Sequence, residues 1–76
     1  MTEQEWINIF GDNLADMLKD ANMTQRELAD AAGISESIVS DYINKRRGPC
    51  IKSLINISLA MSCSLDELMD FEEMIE

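Results

Sequence analysis

Histidine is absent from this chain, which removes the commonest general base and one of the two usual zinc ligands. Cysteine is scarce: Cys50 and Cys63 stand apart rather than as a close pair. That speaks against a zinc centre and against the cysteine-dense scaffold of a small secreted domain. Both thiols are expected to be reduced and buried, in a cytoplasmic protein. No apolar run approaches the roughly 18 residues that span a bilayer. No basic start leads into an apolar stretch as a secretory leader would, so no membrane partner is expected. There is no glycine-rich phosphate loop and no nucleophile beside a base. An enzyme is therefore not expected, nor a cofactor, a metal or a small-molecule ligand.

Positive charge is also scarce. Six lysines and arginines face fifteen acids, for a net charge of -9. Non-specific affinity for nucleic acid comes from positive charge, so the chain cannot act as a general nucleic-acid glue. The deficit is uneven along the sequence. Residues 1–23 hold five acids and one base, residues 50–76 six acids and one base, and residues 24–49 four of each. Only the middle third does not repel phosphate.

With 76 residues the chain suffices for one domain with one modest core. It is read as a single domain, 1–76, ending in a short acidic tail at 71–76. One proline and three glycines punctuate it, and no run alternates β-branched with polar residues as a strand would. Helical spacing recurs instead. From Glu3 to Ala21, Ile7, Phe10, Leu14, Met17, Leu18 and Ala21 share one stripe; Gly11 interrupts it and implies a packing reason. Thr24 followed by Glu27 has the capping-box spacing, and Gly33 suits a left-handed helix end. Ser35 then caps a third helix. Two short helices joined by so tight a glycine-containing turn form a helix-turn-helix, over residues 24–44. After Pro49 a fourth helix points Ile51, Leu54, Ile57, Ser58 and Met61 inward. Ser64 and Glu67 repeat the capping box ahead of a fifth helix with Leu65, Leu68 and Met69.

These residues resemble the phage-repressor and Cro-type helix-turn-helix domains, often called XRE-type. The resemblance covers about 60 residues. It rests on Thr24-Gln25, Leu28-Ala29, Gly33-Ile34-Ser35, Val39-Ser40, Tyr42, Asn44, Pro49 and the closing Ser64-Leu65-Asp66-Glu67-Leu68. It implies an all-α, compact five-helix, lambda-repressor-like bundle whose third helix enters the major groove of double-stranded DNA. Such domains commonly bind palindromic operators as dimers, with half-sites about 34 Å apart. The resemblance places Gln25 on a phosphate, Glu36, Ser37 and Ser40 toward base edges, and Asn44 with the following loop on the backbone. The chain departs from the pattern at Glu36, Asp41, Lys45 and Leu18, where the family favours glutamine or arginine, a base, glycine and arginine.

At 100° per residue, Ile38, Val39, Tyr42 and Ile43 define the buried arc of the third helix. Ser37, Ser40 and Asn44 occupy the outward face, flanked by Glu36 and Asp41. The candidate base-reading set is Glu36, Ser37, Ser40 and Asp41; serine can donate or accept at several bases. The candidate phosphate-binding set is Gln25, Asn44, Lys45, Arg46 and Arg47. Two accounts of Glu36 stay open: acceptance from a cytosine amino group, or a carboxylate at the positive end of the helix dipole. Two accounts of Asp41 stay open as well: four residues before Lys45 it has the spacing of a helical ion pair, or it repels phosphate as a specificity device. Ile55 and Leu59, with Met69, Phe71, Met74 and Ile75, are candidates for a homodimer surface. The expected function is a sequence-specific transcriptional regulator, a small phage- or mobile-element-type repressor or Cro-like protein. The alternative is an acidic helix-turn-helix interaction module, antitoxin- or antirepressor-like, with weak or no DNA binding.

Overall fold

The computed structural model describes residues 2–63 and Leu68. Among these residues there are four α-helices and no strand: α1 (Glu3–Asp20), α2 (Gln25–Ala32), α3 (Glu36–Ile43) and α4 (Ile51–Met61). The five-helix expectation is thus met for four helices. The fifth, from Ser64, lies outside the described residues except for Leu68, which is helical and fully buried. Met69, Phe71, Met74, Ile75 and the 71–76 tail also lie outside them.

Local chemistry sets the helix starts. Thr2 accepts the Glu5 N–H at 3.2 Å and opens α1. The expected capping box forms at α2: Thr24 Oγ1 accepts the Glu27 N–H at 3.1 Å, and Glu27 Oε1 accepts the Thr24 N–H at 3.0 Å. Ser35 Oγ accepts the Ile38 N–H at 3.2 Å and opens α3. These bonds satisfy amides that a helix leaves unpaired in its first turn.

All four helix ends use one device. A residue with positive φ follows each helix: Asn22 (53°), Gly33 (70°), Lys45 (63°) and Ser62 (52°). The next residue's N–H then reaches back to the last turn: Met23 to Leu18 O, Ile34 to Ala29 O, Arg46 to Asp41 O and Cys63 to Ser58 O, all within 2.9–3.1 Å. This is the Schellman closure, which ties up carbonyls that would otherwise lack donors. Only α2 uses glycine for it. The other three carry a side chain in the left-handed region, at a cost of order 1 kcal/mol each.

Phe10 and Leu14 from α1, Leu28 from α2, Val39 from α3, Ile57 from α4 and Leu68 are completely buried. Burying such a side chain contributes about 1.5–3 kcal/mol. Phe10 meets Tyr42 edge to face, with ring centroids 5.4 Å apart. Asn13 Nδ2 donates to the Leu68 carbonyl at 2.8 Å and ties the chain beyond α4 to α1. Gly11 has the packing role its position implied: a Cβ there would stand 2.6 Å from the Tyr42 carbonyl oxygen. The end of α3 therefore rests directly on the α1 backbone.

Three sequence expectations are corrected. Ile51, expected inside, is 77% exposed. It lies about 120° round the helix from Ile57, so with the core closed on Ile57 it turns outward beside Ile55 and Leu59. Ala21 is exposed because it is the residue on which α1 ends. Cys50 is exposed as the N-cap residue of α4, and Cys63 is half-buried rather than buried.

Candidate nucleic-acid interface

The turn between α2 and α3 is only Gly33, Ile34 and Ser35. The left-handed Gly33 reverses the chain, Ile34 is half-buried against the core, and Ser35 at once caps α3. Val39 and Tyr42 hold α3 down as fully or almost fully buried anchors. The opposite face of α3 is thereby presented outward, with Glu36 and Ser37 exposed and Ser40 and Asp41 half-buried.

This face opens onto a shallow groove of about 410 Å³ lined by Gln25, Glu36, Ser37, Ser40, Asp41 and Arg46. The four residues expected to read bases thus share one surface with two of those expected to hold phosphate. Arg46 also lines a second groove, of about 670 Å³, with Arg47, Gly48 and Thr2, Glu3, Gln4 and Ile7 of the α1 start. Sequence reasoning missed this second surface. Gln4 Nε2 donates to the Lys45 carbonyl at 3.2 Å, across 41 positions of sequence. No local pattern could have signalled a contact between two polar surface residues so far apart.

Ion pairing around the loop differs from the expected Asp41–Lys45 pair. Lys45 Nζ lies 2.7 Å from Asp12 Oδ1 on α1. Asp41 engages the two arginines instead, at 3.6 Å to Arg46 Nη1 and 3.3 Å to Arg47 Nε. The cause is backbone geometry. The i to i+4 pairing needs the lysine to continue the helix, but Lys45 is left-handed and its stem lies over Gly11. Arg46 is returned toward Asp41 by the bond from its own N–H to the Asp41 carbonyl.

Asn44 is exposed, but its Nδ2 donates to the Ser40 carbonyl at 2.9 Å and to Ser40 Oγ at 3.1 Å. A phosphate taken by Asn44 would have to replace one of these bonds. The same contact sets the Ser40 hydroxyl: its oxygen accepts from Asn44, so its proton points elsewhere and can be donated to an acceptor in the groove. Ile55 and Leu59, with Ile51, form an apolar stripe on α4 that is 46%, 73% and 77% exposed, respectively. No helix among the described residues is long and apolar enough to cross a membrane.

A tight α2–turn–α3 unit with a buried anchor face and a polar outward face defines a helix-turn-helix protein. The helix-turn-helix family profile matches residues 14–68, and the chain belongs to this family, as an XRE-type helix-turn-helix protein. It is 38% identical over 64 residues to YqaE of Bacillus subtilis (strain 168), which is named an uncharacterized HTH-type transcriptional regulator. That match covers 84% of this chain and 55% of YqaE, so the chain spans about half the length of this relative. Two solved structures share the fold. One is the restriction-modification controller protein C.AhdI from Aeromonas hydrophila, with a TM-score of 0.78 at 21% identity, covering 82% of this chain and 94% of that one. The other is the clp gene regulator ClgR from C. glutamicum, with a TM-score of 0.78 at 24% identity, covering 93% and 94%.

Proposed function

We propose that the protein is a sequence-specific transcriptional regulator, a small phage- or mobile-element-type repressor or Cro-like protein, which lays α3 in the major groove of an operator. The observation that carries this is the shared groove. Exposed Glu36 and Ser37 and half-buried Ser40 line one open surface with Gln25 and Arg46. Small hydrogen-bonding side chains allow close approach to base edges, while Gln25 and the loop arginines flank them where a backbone would run. A palindromic operator bound by a homodimer fits the apolar stripe on α4, which gives two copies a self-complementary surface.

Selection from random duplexes tests this directly. The expected result is a palindromic consensus with half-sites one helical turn apart. Ser37→Ala and Ser40→Ala relax preference at particular positions, whereas Arg46→Ala and Arg47→Ala weaken binding to all duplexes alike. A selection that enriches no sequence even at low salt refutes the proposal.

One observation favours a second function, an acidic interaction module. Each loop cation already faces a carboxylate, Lys45 with Asp12 and both arginines with Asp41. A module that works on protein partners needs no free cations. Salt separates the two: phosphate contacts make log affinity fall steeply with log salt, by about 0.9 per phosphate neutralised. A protein partner held by apolar and neutral polar contacts gives a much shallower dependence.

A further inference from the structure

Asp41 stands on the candidate reading face, yet its carboxylate is not turned out to meet a base. It is half-buried, with its side chain 26% exposed, and both oxygens are in use: Oδ1 toward Arg46 and Oδ2 toward Arg47. Both partners are the exposed arginines of the loop, at 69% and 55%. A carboxylate offering two oxygens to two guanidinium groups presents them with the same chemistry as a phosphate diester.

We propose that Asp41 is an internal counter-ion, a stand-in for DNA phosphate that Arg46 and Arg47 must leave before they grip a duplex. The inference rests on the DNA-binding function proposed above and assigns Asp41 a different role from base reading. Its energetic consequence follows from where the pairs are broken. They are present in the free protein and lost in any complex in which the arginines turn to phosphate, whatever the base sequence. The loss therefore weakens operator and non-operator binding by the same factor and sets overall affinity without touching sequence preference. In a chain with a net charge of -9, this adds a second restraint on binding to arbitrary DNA.

A base reader and a counter-ion predict opposite outcomes for Asp41→Asn. The substitution keeps shape and leaves the helix end intact, because Arg46 N–H bonds to the main-chain carbonyl of Asp41 and not to its side chain. The probes are the duplex enriched by random selection and a shuffled duplex of the same composition. Asp41→Asn is expected to bind both about threefold to tenfold more tightly, by a similar factor for each, with the selected consensus unchanged. Asp16→Asn removes the same formal charge from an exposed position on α1 and is expected to change affinity by less than twofold. In the free protein, the Arg47 side-chain N–H resonance should shift and broaden in Asp41→Asn, a readout that needs no DNA. The proposal is overturned if Asp41→Asn weakens operator binding or alters the consensus, or if Asp16→Asn tightens binding as much. It is also overturned if the Arg47 resonance is the same in wild type and Asp41→Asn. If the resonance shifts but neither protein binds any duplex, the pair stands, the DNA-binding function fails, and the phosphate-competing role fails with it.

Discussion

Replacing Gly11 by alanine adds one methyl group where α1 meets the end of α3, and two effects of opposite sign meet there. Inside a helix, Gly→Ala stabilises by about 0.8–1 kcal/mol through backbone entropy and helix propensity. Here the new Cβ would stand 2.6 Å from the Tyr42 carbonyl oxygen and 3.1 Å from Lys45 Cγ. Ordinary contact begins near 3.4 Å, so the two backbones must separate by several tenths of an ångström. The lysine stem can move aside, but the carbonyl belongs to α3 and takes the helix with it. Overpacking of this kind costs about 1–3 kcal/mol, and a rigid backbone neighbour places it in the upper part of that range. The expected net effect is a loss of about 1–2 kcal/mol, or roughly 4–16 °C in Tm for a domain of this size. Urea unfolding followed by far-UV circular dichroism and Trp6 fluorescence measures it. Ala31→Gly, on the exposed side of α2, calibrates the propensity contribution alone. If Gly11→Ala is as stable as the wild type or more so, α3 does not rest on the α1 backbone and the crossing is wrongly described.

Three further outcomes are expected. Thr24→Ala removes the acceptor for the Glu27 N–H but keeps the backbone N–H that Glu27 Oε1 accepts, so one half of the capping box is lost. It should cost about 0.5–2 kcal/mol in urea unfolding, and no loss would show that α2 starts without its cap. Leu59→Glu places a charge on a side chain that is 73% exposed, so monomer stability should stay within about 0.5 kcal/mol. Sedimentation equilibrium should show the proposed dimer in the wild type and its loss in the variant; a monomeric wild type, or a dimer equally strong in both, refutes the α4 interface. The Ser53 hydroxyl, 3.4 Å from Cys50 Sγ, holds that exposed thiol below the ordinary cysteine range. The pH midpoint for iodoacetamide alkylation of Cys50 should therefore move up in Ser53→Ala, and an unchanged midpoint refutes the assignment.

Much of the fold was legible because its signals are local. Thr24 with Glu27, Gly33 and Ser35 mark helix ends through bonds that span three to five residues, so spacing alone reveals them. The buried arc of α3 was equally legible, since the 100° rotation per residue separates Val39 and Tyr42 from Ser37 and Ser40. The inward stripe of α4 was less so. Ile51 satisfies the apolar pattern, but no pattern says which edge of a wide apolar arc the neighbouring helices will cover.

The candidate site divides along the same line. By itself, the sequence determined which residues α3 presents, because helical rotation and two large buried anchors leave no other face. Only the tertiary structure decided which charges meet. The acid four residues before a lysine implied an Asp41–Lys45 pair, but the left-handed turn at Lys45 sends its ammonium to Asp12 and leaves Asp41 to Arg46 and Arg47. An ion pair between long flexible side chains depends on how the backbone leaves its helix and on what stands opposite, and sequence spacing encodes neither.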